Sequence, residues 1–302
     1  LFRSVSPWSR GGWVNSQVFD HTSVLRFLEA RFGVVEENIS PYRRAICGDL
    51  TSCFDFVNPN TEVPDLPSWS KTAADALRVA QEQLEQVPLP DTDEQAMPVQ
   101  APGIRHSRAL PYILNVTSKV SGTKVTLNFV NNGKQAAVFH VYDKQRLLET
   151  PRRYSVEAGK SLSDTWTTLN FGKYDLWVLG PNGFHRHFTG DVALLGGAAA
   201  LMPEVSLTYS PSDQTIIFSI SNEGARTRTV RVAANAYETF AQTRVLAAGR
   251  RWLLSRPLKD FGNWYDYSVT VDGVESYSRR LAGRMETGKD GISDPAAMLA
   301  QG

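Results

Sequence analysis

The chain has 302 residues, 42% of them hydrophobic, 21% charged and 10% aromatic, with a formal net charge of +1. That is the composition of an ordinary globular protein, long enough for about two domains. No run of roughly 18 apolar residues is present, so no transmembrane helix is expected, and no basic-then-apolar leader reads as a signal peptide.

The charge is uneven. Residues 1–57 carry six basic and six acidic side chains, residues 58–101 two and eight, and residues 102–302 twenty-four and seventeen, a net of +7. The basic residues form no clustered Lys/Arg stripe, so nucleic acid is not an expected partner. A mildly basic balance suits an anionic surface or a plain solvated face.

In chain order, "WVNSQVF" reads as a short strand or loop running into "TSVLRFLEARFG". There Val24, Leu25, Leu28 and Phe32 fall on one helical stripe, with Asp20 or Thr22 as cap and Gly33 at the C-terminal turn. Pro41 signals a second helix start. Residues 58–101 read as a Pro-rich linker around one helix. Ala73, Ala76, Leu77, Ala80, Leu84 and Val87 are at helical spacing, Ser70 is the cap and Pro88 the stop. Cys47 and Cys53 have the spacing of a small disulfide loop but also of packing thiols, and they lack the partners of a metal motif.

From residue 102 the texture changes. "KVTLNFVNNG", "AAVFHVYD", "RRYSVEAGKS", "KYDLWVLGPNG" and "FHRHFTGD" alternate apolar and polar residues between Asn-Gly and Ala-Gly turns. Turn signals recur about every ten residues, the spacing of a β-sandwich. The pattern then repeats: "KVTLNFVNNGKQAAVFHVY" is echoed by "QTIIFSISNEGARTRTVRVAANAY", and "KYDLWVLGPNGFHRHFTGDV" by "WYDYSVTVDGVESYSRRLAGRM". The fold class is therefore mainly β. Two tandem small β-sandwich domains, 102–194 and 203–283, are expected, with "LLGGAAALMP" as a hinge and 284–302 as a flexible tail.

No G-x-S-x-G elbow, H-E-x-x-H, Walker loop or G-x-G-x-x-G is present. Of five histidines, His185 and His187 share one strand face without an acidic or Cys partner in view, His140 reads as structural and His106 lies in coil. His21 differs, because it stands at a helix N-terminus, where unpaired N–H groups favour a phosphate. The bland reading is a structural histidine beside a cap. Trp8 and Trp13 flank "SRGG"; an aromatic face holds a choline by cation–π attraction, and Arg10 suits a phosphate. Packing and a loop salt bridge are the competing readings.

"SPWSRGGWVNSQVFDHTSVLRFLEARFGV", "ISPYRRAICGDLTSCFDF" and "RMETGKDGISDPA" resemble the bacterial phosphocholine-preferring phospholipase C family, within the phosphoesterase and acid phosphatase group related to alkaline phosphatase. The resemblance covers essentially the whole chain. It implies that residues 1–57 are the end of an α/β catalytic domain and 102–283 the paired C-terminal domains. It implies hydrolysis of phosphatidylcholine or sphingomyelin to phosphocholine and a lipid, with a metal ion as cofactor, in a secreted or periplasmic parent protein. The "DHTS" run resembles the late His-Thr element of alkaline phosphatase, which implies that His21 faces the phosphoryl group or metal. Trp8 and Arg10 are candidate substrate contacts. The nucleophile and acidic metal ligands of that family belong to an upstream region absent from this sequence, so no metal ligand is assigned and the chain alone is expected to be inactive. Cys53 stands where a small residue such as Ala is expected. The alternative is a non-catalytic module whose sandwiches bind a membrane, a partner or a chaperone.

Overall fold

The computed structural model describes residues 3–63, 65–95, 103–169, 172–192 and 202–297. Helix α1 spans Thr22–Phe32 and ends on Gly33, whose φ of 72° is the left-handed turn expected there. Helix α2 is Pro41–Ile46. It starts as Pro41 signals, with the Ser40 hydroxyl accepting from the Arg43 amide at 3.3 Å. Helix α3 is Lys71–Glu82, capped by Ser70 as expected but ending before Pro88, and every residue in it is exposed. Short polar side chains and an amphipathic repeat support its start. With nothing packed on its stripe, the helix stops where local propensity weakens.

Among the described residues there are sixteen strands, fourteen in the sandwiches and two in the short pair that ties the ends. In the first repeat they are β1 (His106–Ser107), β2 (Leu114–Ser121), β3 (Lys124–Asn131), β4 (Ala137–Asp143), β5 (Arg152–Val156), β6 (Lys160–Thr167), β7 (Lys173–Leu179) and β8 (His185–Asp191). In the second they are β9 (Glu204–Ser210), β10 (Thr215–Ser221), β11 (Arg228–Ala234), β12 (Ala241–Leu246), β13 (Arg251–Pro257), β14 (Trp264–Val271), β15 (Val274–Arg284) and β16 (Gly291–Ile292). Each repeat packs a three-stranded sheet, β2-β3-β6 or β9-β10-β13, on four further strands. Val125, Leu127 and Phe129 alternate inward along β3, and Ile216, Phe218 and Ile220 do the same along β10. Phe129 stacks on Tyr154 at 4.4 Å; Phe218 meets Tyr267 edge-on at 5.3 Å.

The internal repeat is matched bond for bond at one buried asparagine. Asn131 Nδ2 donates to the Gln135 and Val156 carbonyls, and its Oδ1 accepts from the Gly133 amide. Asn222 does the same to Arg226 and Leu246, accepting from Gly224. Both side chains thus satisfy backbone groups that the turn would otherwise leave buried and unpaired.

The sandwiches are not separate beads on a hinge. β8 pairs antiparallel with β15, and the two four-stranded sheets merge into one eight-stranded sheet, β12-β11-β14-β15-β8-β7-β4-β5. The alternating pattern could not show this, since an edge strand and an inner strand read alike in sequence. Pairing two edges removes both as exposed templates. The proposed hinge, 194–203, lies almost wholly outside the described residues.

The tail is also tied down over its described part, contrary to the expectation of flexibility. β16 pairs with β1, the Ser293 amide donates to the Arg105 carbonyl at 2.9 Å, and Asp290 accepts from Arg108 and the Ala109 amide. Polar tail residues with little periodicity hid a set of specific backbone partners.

Candidate functional site

Residues 3–57 lie against the first sandwich. Val14 bridges Ser107, the Val18 amide donates to the Tyr112 hydroxyl at 3.0 Å, and the Ala136 amide donates to the Ala45 carbonyl at 3.1 Å. Gln135 Nε2 reaches the Ile46 carbonyl at 2.7 Å. The backbone of this segment finds its partners on the sandwich even though the α1 stripe does not. Val24, Leu25, Leu28 and Phe32 are 42%, 45%, 45% and 67% exposed.

His21 occupies the N-cap position of α1 with φ −59° and ψ −29°, makes no capping bond and is exposed. The cap work is done by its neighbours. Asp20 Oδ1 accepts from the Thr22 amide at 2.8 Å and the Thr22 hydroxyl at 2.6 Å, and Oδ2 pairs with Arg43. Partial burial raises the Asp20 carboxyl pKa, but the Thr22 and Arg43 contacts outweigh it and hold the group below its usual value. The imidazole is thereby left uncommitted at the surface, on a helix terminus that carries partial positive charge.

Helices α1 and α2 are clamped by Arg44, which donates to both Glu29 carboxylate oxygens at 2.8 Å. That bidentate contact, with the Glu36 amide, lowers the Glu29 carboxyl to about 2. Arg26 caps the chain reversal through the Arg44 and Cys47 carbonyls. Both cysteines are free thiols; Cys47 is buried and Cys53 half-buried. Burial pushes both thiols up in pKa, away from the reactive thiolate form.

The other candidate residues lie elsewhere in the segment. Trp8 is 41% exposed and leans on Phe56 at 6.0 Å, and Arg10 donates to the Asn60 carbonyl at 3.3 Å. Neither has a ring contact, hydrogen bond or ion pair to His21 among the described residues. Trp13 is held by Arg108, whose guanidinium sits 4.0 Å from the indole centroid. A broad open cleft of about 710 Å³ between this segment and the first sandwich is lined by Gln17, Arg26, Ser52, Lys134 and Gln135.

His185 and His187 share the outer sheet face, as their alternation implied. His187 Nε2 contacts Asp175 Oδ1 at 2.5 Å, and Trp177 meets both rings edge-on. Among the described residues no three His, Cys, Asp or Glu side chains converge as a metal site. The residues present around His21 therefore do not fit a metal by themselves, since the adjacent carboxylate is already engaged by Thr22 and Arg43.

Sequence reasoning missed two buried arginines between the repeats. Arg186 Nη2 donates to the Tyr209 and Tyr265 hydroxyls and Nη1 to the Ala282 carbonyl; Arg279 donates to the Tyr174 hydroxyl and the Thr189 carbonyl. The signal was available. If His185 and His187 face out, Arg186 must share the inward side with Phe184 and Phe188.

The site thus consists of a short helical segment, with an exposed histidine at the N-cap of α1, joined to a pair of β-sandwiches. Residues 106–191 and 203–284 each match the family described as bacterial phospholipase C, C-terminal domain, and residues 3–35 match the phosphoesterase family. The chain belongs to the bacterial phospholipase C C-terminal domain family. It is 46% identical over 300 residues to a non-hemolytic phospholipase C of Pseudomonas aeruginosa, covering 98% of this chain and 43% of that protein. It is 43% identical over 305 residues to a non-hemolytic phospholipase C of Burkholderia pseudomallei, covering 98% and 42%, and 39% identical over 333 residues to a hemolytic phospholipase C of P. aeruginosa, covering 98% and 44%. The chain thus spans under half the length of these relatives.

Proposed function

We propose that this chain is the C-terminal part of a phospholipase C that hydrolyses phosphatidylcholine or sphingomyelin to phosphocholine and a lipid, and that alone it does not turn over. The observation that carries the reading is the continuity of a phosphoesterase match at 3–35 with two C-terminal-domain matches in one chain. The exposed α1 stripe supports it: four apolar side chains on one helix face suit burial against the remainder of a catalytic domain. In this reading His21 faces the phosphoryl group, Trp8 and Arg10 contribute to headgroup binding, and the nucleophile and acidic metal ligands come from upstream. The metal belongs to the assembled domain, and the parent protein is secreted or periplasmic. No described helix is long and apolar enough to cross a membrane.

The test is His21→Ala in this chain joined behind the phosphoesterase portion of the non-hemolytic P. aeruginosa relative, assayed on p-nitrophenyl phosphorylcholine. A phosphoryl-facing role predicts a loss of kcat of about 10²-fold or more. Unchanged kcat with intact folding refutes the assignment.

A second reading treats the sandwiches as a binding module for a membrane, partner or chaperone. It is favoured by the net +7 of residues 102–302 and by the eight-stranded sheet that joins the two sandwiches into one continuous surface.

A further inference from the structure

We propose that the β4–β5 loop, residues 144–151, is a lipid-surface anchor. Leu148 is fully exposed and Leu147 is 56% exposed, side by side at the tip. The fold does not demand this. The equivalent loop of the second repeat, 235–240, closes onto the body: Arg256 lies 3.8 Å from the Phe240 ring centroid, Phe240 packs against Tyr267, and the Tyr237 hydroxyl donates to Asp294 at 2.9 Å. One position in a matched pair is shorter and pinned; the other is longer and offers two leucines to solvent.

The leucines are presented on an ordered loop. Asp143 accepts from the Gln145 amide and from Arg146 Nε, each at 3.0 Å, the Glu149 amide donates to the Arg146 carbonyl at 3.0 Å, and Lys144 Nζ sits 4.3 Å from the Trp177 centroid. The ordering entropy of the tip is therefore met in the free protein, which favours binding. Around it, Arg146 pairs with Asp143 and Glu149 and Arg152 with Asp164, and with Lys144 and Arg153 alongside the balance is four positive charges against three negative. Two inserted aliphatic side chains ringed by net positive charge fit a lipid surface with anionic headgroups. A folded protein partner would need a shaped pocket for them; a bilayer needs none. The choice of lipid rests on the phospholipase reading, but its test does not use hydrolysis.

Co-sedimentation of the full chain with phosphatidylcholine vesicles, with and without phosphatidylglycerol, tests the proposal. The chain is expected to bind the mixed vesicles more strongly. Leu147→Ser/Leu148→Ser is expected to weaken that binding by roughly tenfold or more, as removing one or two buried leucines implies. Val245→Ser, at another exposed site, is expected to change nothing. In a separate variant, Leu148→Trp, vesicles should shift the tryptophan emission to the blue relative to the parent chain. No vesicle binding by the parent, equal binding by the double variant, or no added emission shift each overturns the anchor. An active joined enzyme whose C-terminal chain ignores vesicles sinks the anchor alone and leaves the phospholipase reading standing.

Discussion

Arg186 from the first repeat donates to the Tyr265 hydroxyl of the second at 3.0 Å, and Arg279 from the second donates to the Tyr174 hydroxyl of the first at 2.7 Å. The register of β8 on β15, with Phe188 opposite Arg279 and Arg186 opposite Leu281, makes the exchange reciprocal about a local two-fold axis. Both guanidiniums are buried, and among the described residues no carboxylate is hydrogen-bonded to either, so hydroxyls and carbonyls are their hydrogen-bond acceptors, with the Glu204 carboxyl acting on Arg279 through its charge. Tyr265→Phe and Tyr174→Phe are each expected to cost about 1–3 kcal/mol, because each leaves a buried charged donor short of an acceptor. Urea denaturation followed by tryptophan fluorescence measures it. Arg186→Met combined with Tyr265→Phe is expected to cost less than the sum of the single changes, since an apolar pair strands no charge.

Gly190 lies beneath the Tyr174 ring, and a Cβ there would overlap the hydroxyl that Arg279 uses. Gly190→Ala is expected to destabilise by about 1–3 kcal/mol through overpacking. Thermal unfolding reads it, and adding Tyr174→Phe is expected to recover little of the loss, because the ring carbons Cζ and Cε1 stay in the way of the added Cβ.

His185 sits half-buried on the merged sheet. Burial, helped by Arg280 and His187 and opposed by Asp266, lowers its pKa to about 4. The unfolded imidazole binds its proton near pH 6.5, so between pH 6.5 and 4 the unfolded state holds more protons and stability falls as pH falls. His185→Gln is expected to flatten that decline in a urea-midpoint series across the same window. An unchanged slope would place the effect elsewhere, for instance on His140, whose pKa is lowered in the same direction by burial and Arg153.

The Glu29–Arg44 clamp acts in the same direction at lower pH. A carboxyl lowered to about 2 contributes stability that is present above its ordinary value near 4.5 and is lost as pH falls toward 2. Hydrogen exchange should show the α1 amides and the Glu36 amide losing protection over that range. In Glu29→Gln that protection is expected to be lower at neutral pH and nearly independent of acid.

Much of the fold was legible because alternation and turn chemistry are local. The β3 and β4 runs, the Gly33 cap, the Pro41 helix start, the Ser70 cap and the repeat all stand where the pattern placed them. The β8–β15 junction was not legible, because pairing partners of an edge strand leave no local mark. The ordered tail was missed for a related reason: Asp290 and Ser293 are held by residues far away in sequence, Arg108 and Arg105. "DHTS" singled out His21 and Asp20 was one of two cap candidates, but that Asp20 also pairs with Arg43, with the imidazole exposed and the α1 stripe uncovered, depends on contacts that leave no local mark in the sequence.

The most direct test of the central claim is turnover of p-nitrophenyl phosphorylcholine, with divalent metal added, by this chain alone and by the same chain joined to the upstream phosphoesterase portion of its non-hemolytic P. aeruginosa relative. No turnover alone, with metal-dependent turnover once joined, is the predicted result. Metal-dependent turnover by the chain alone that disappears in His21→Ala would contradict it.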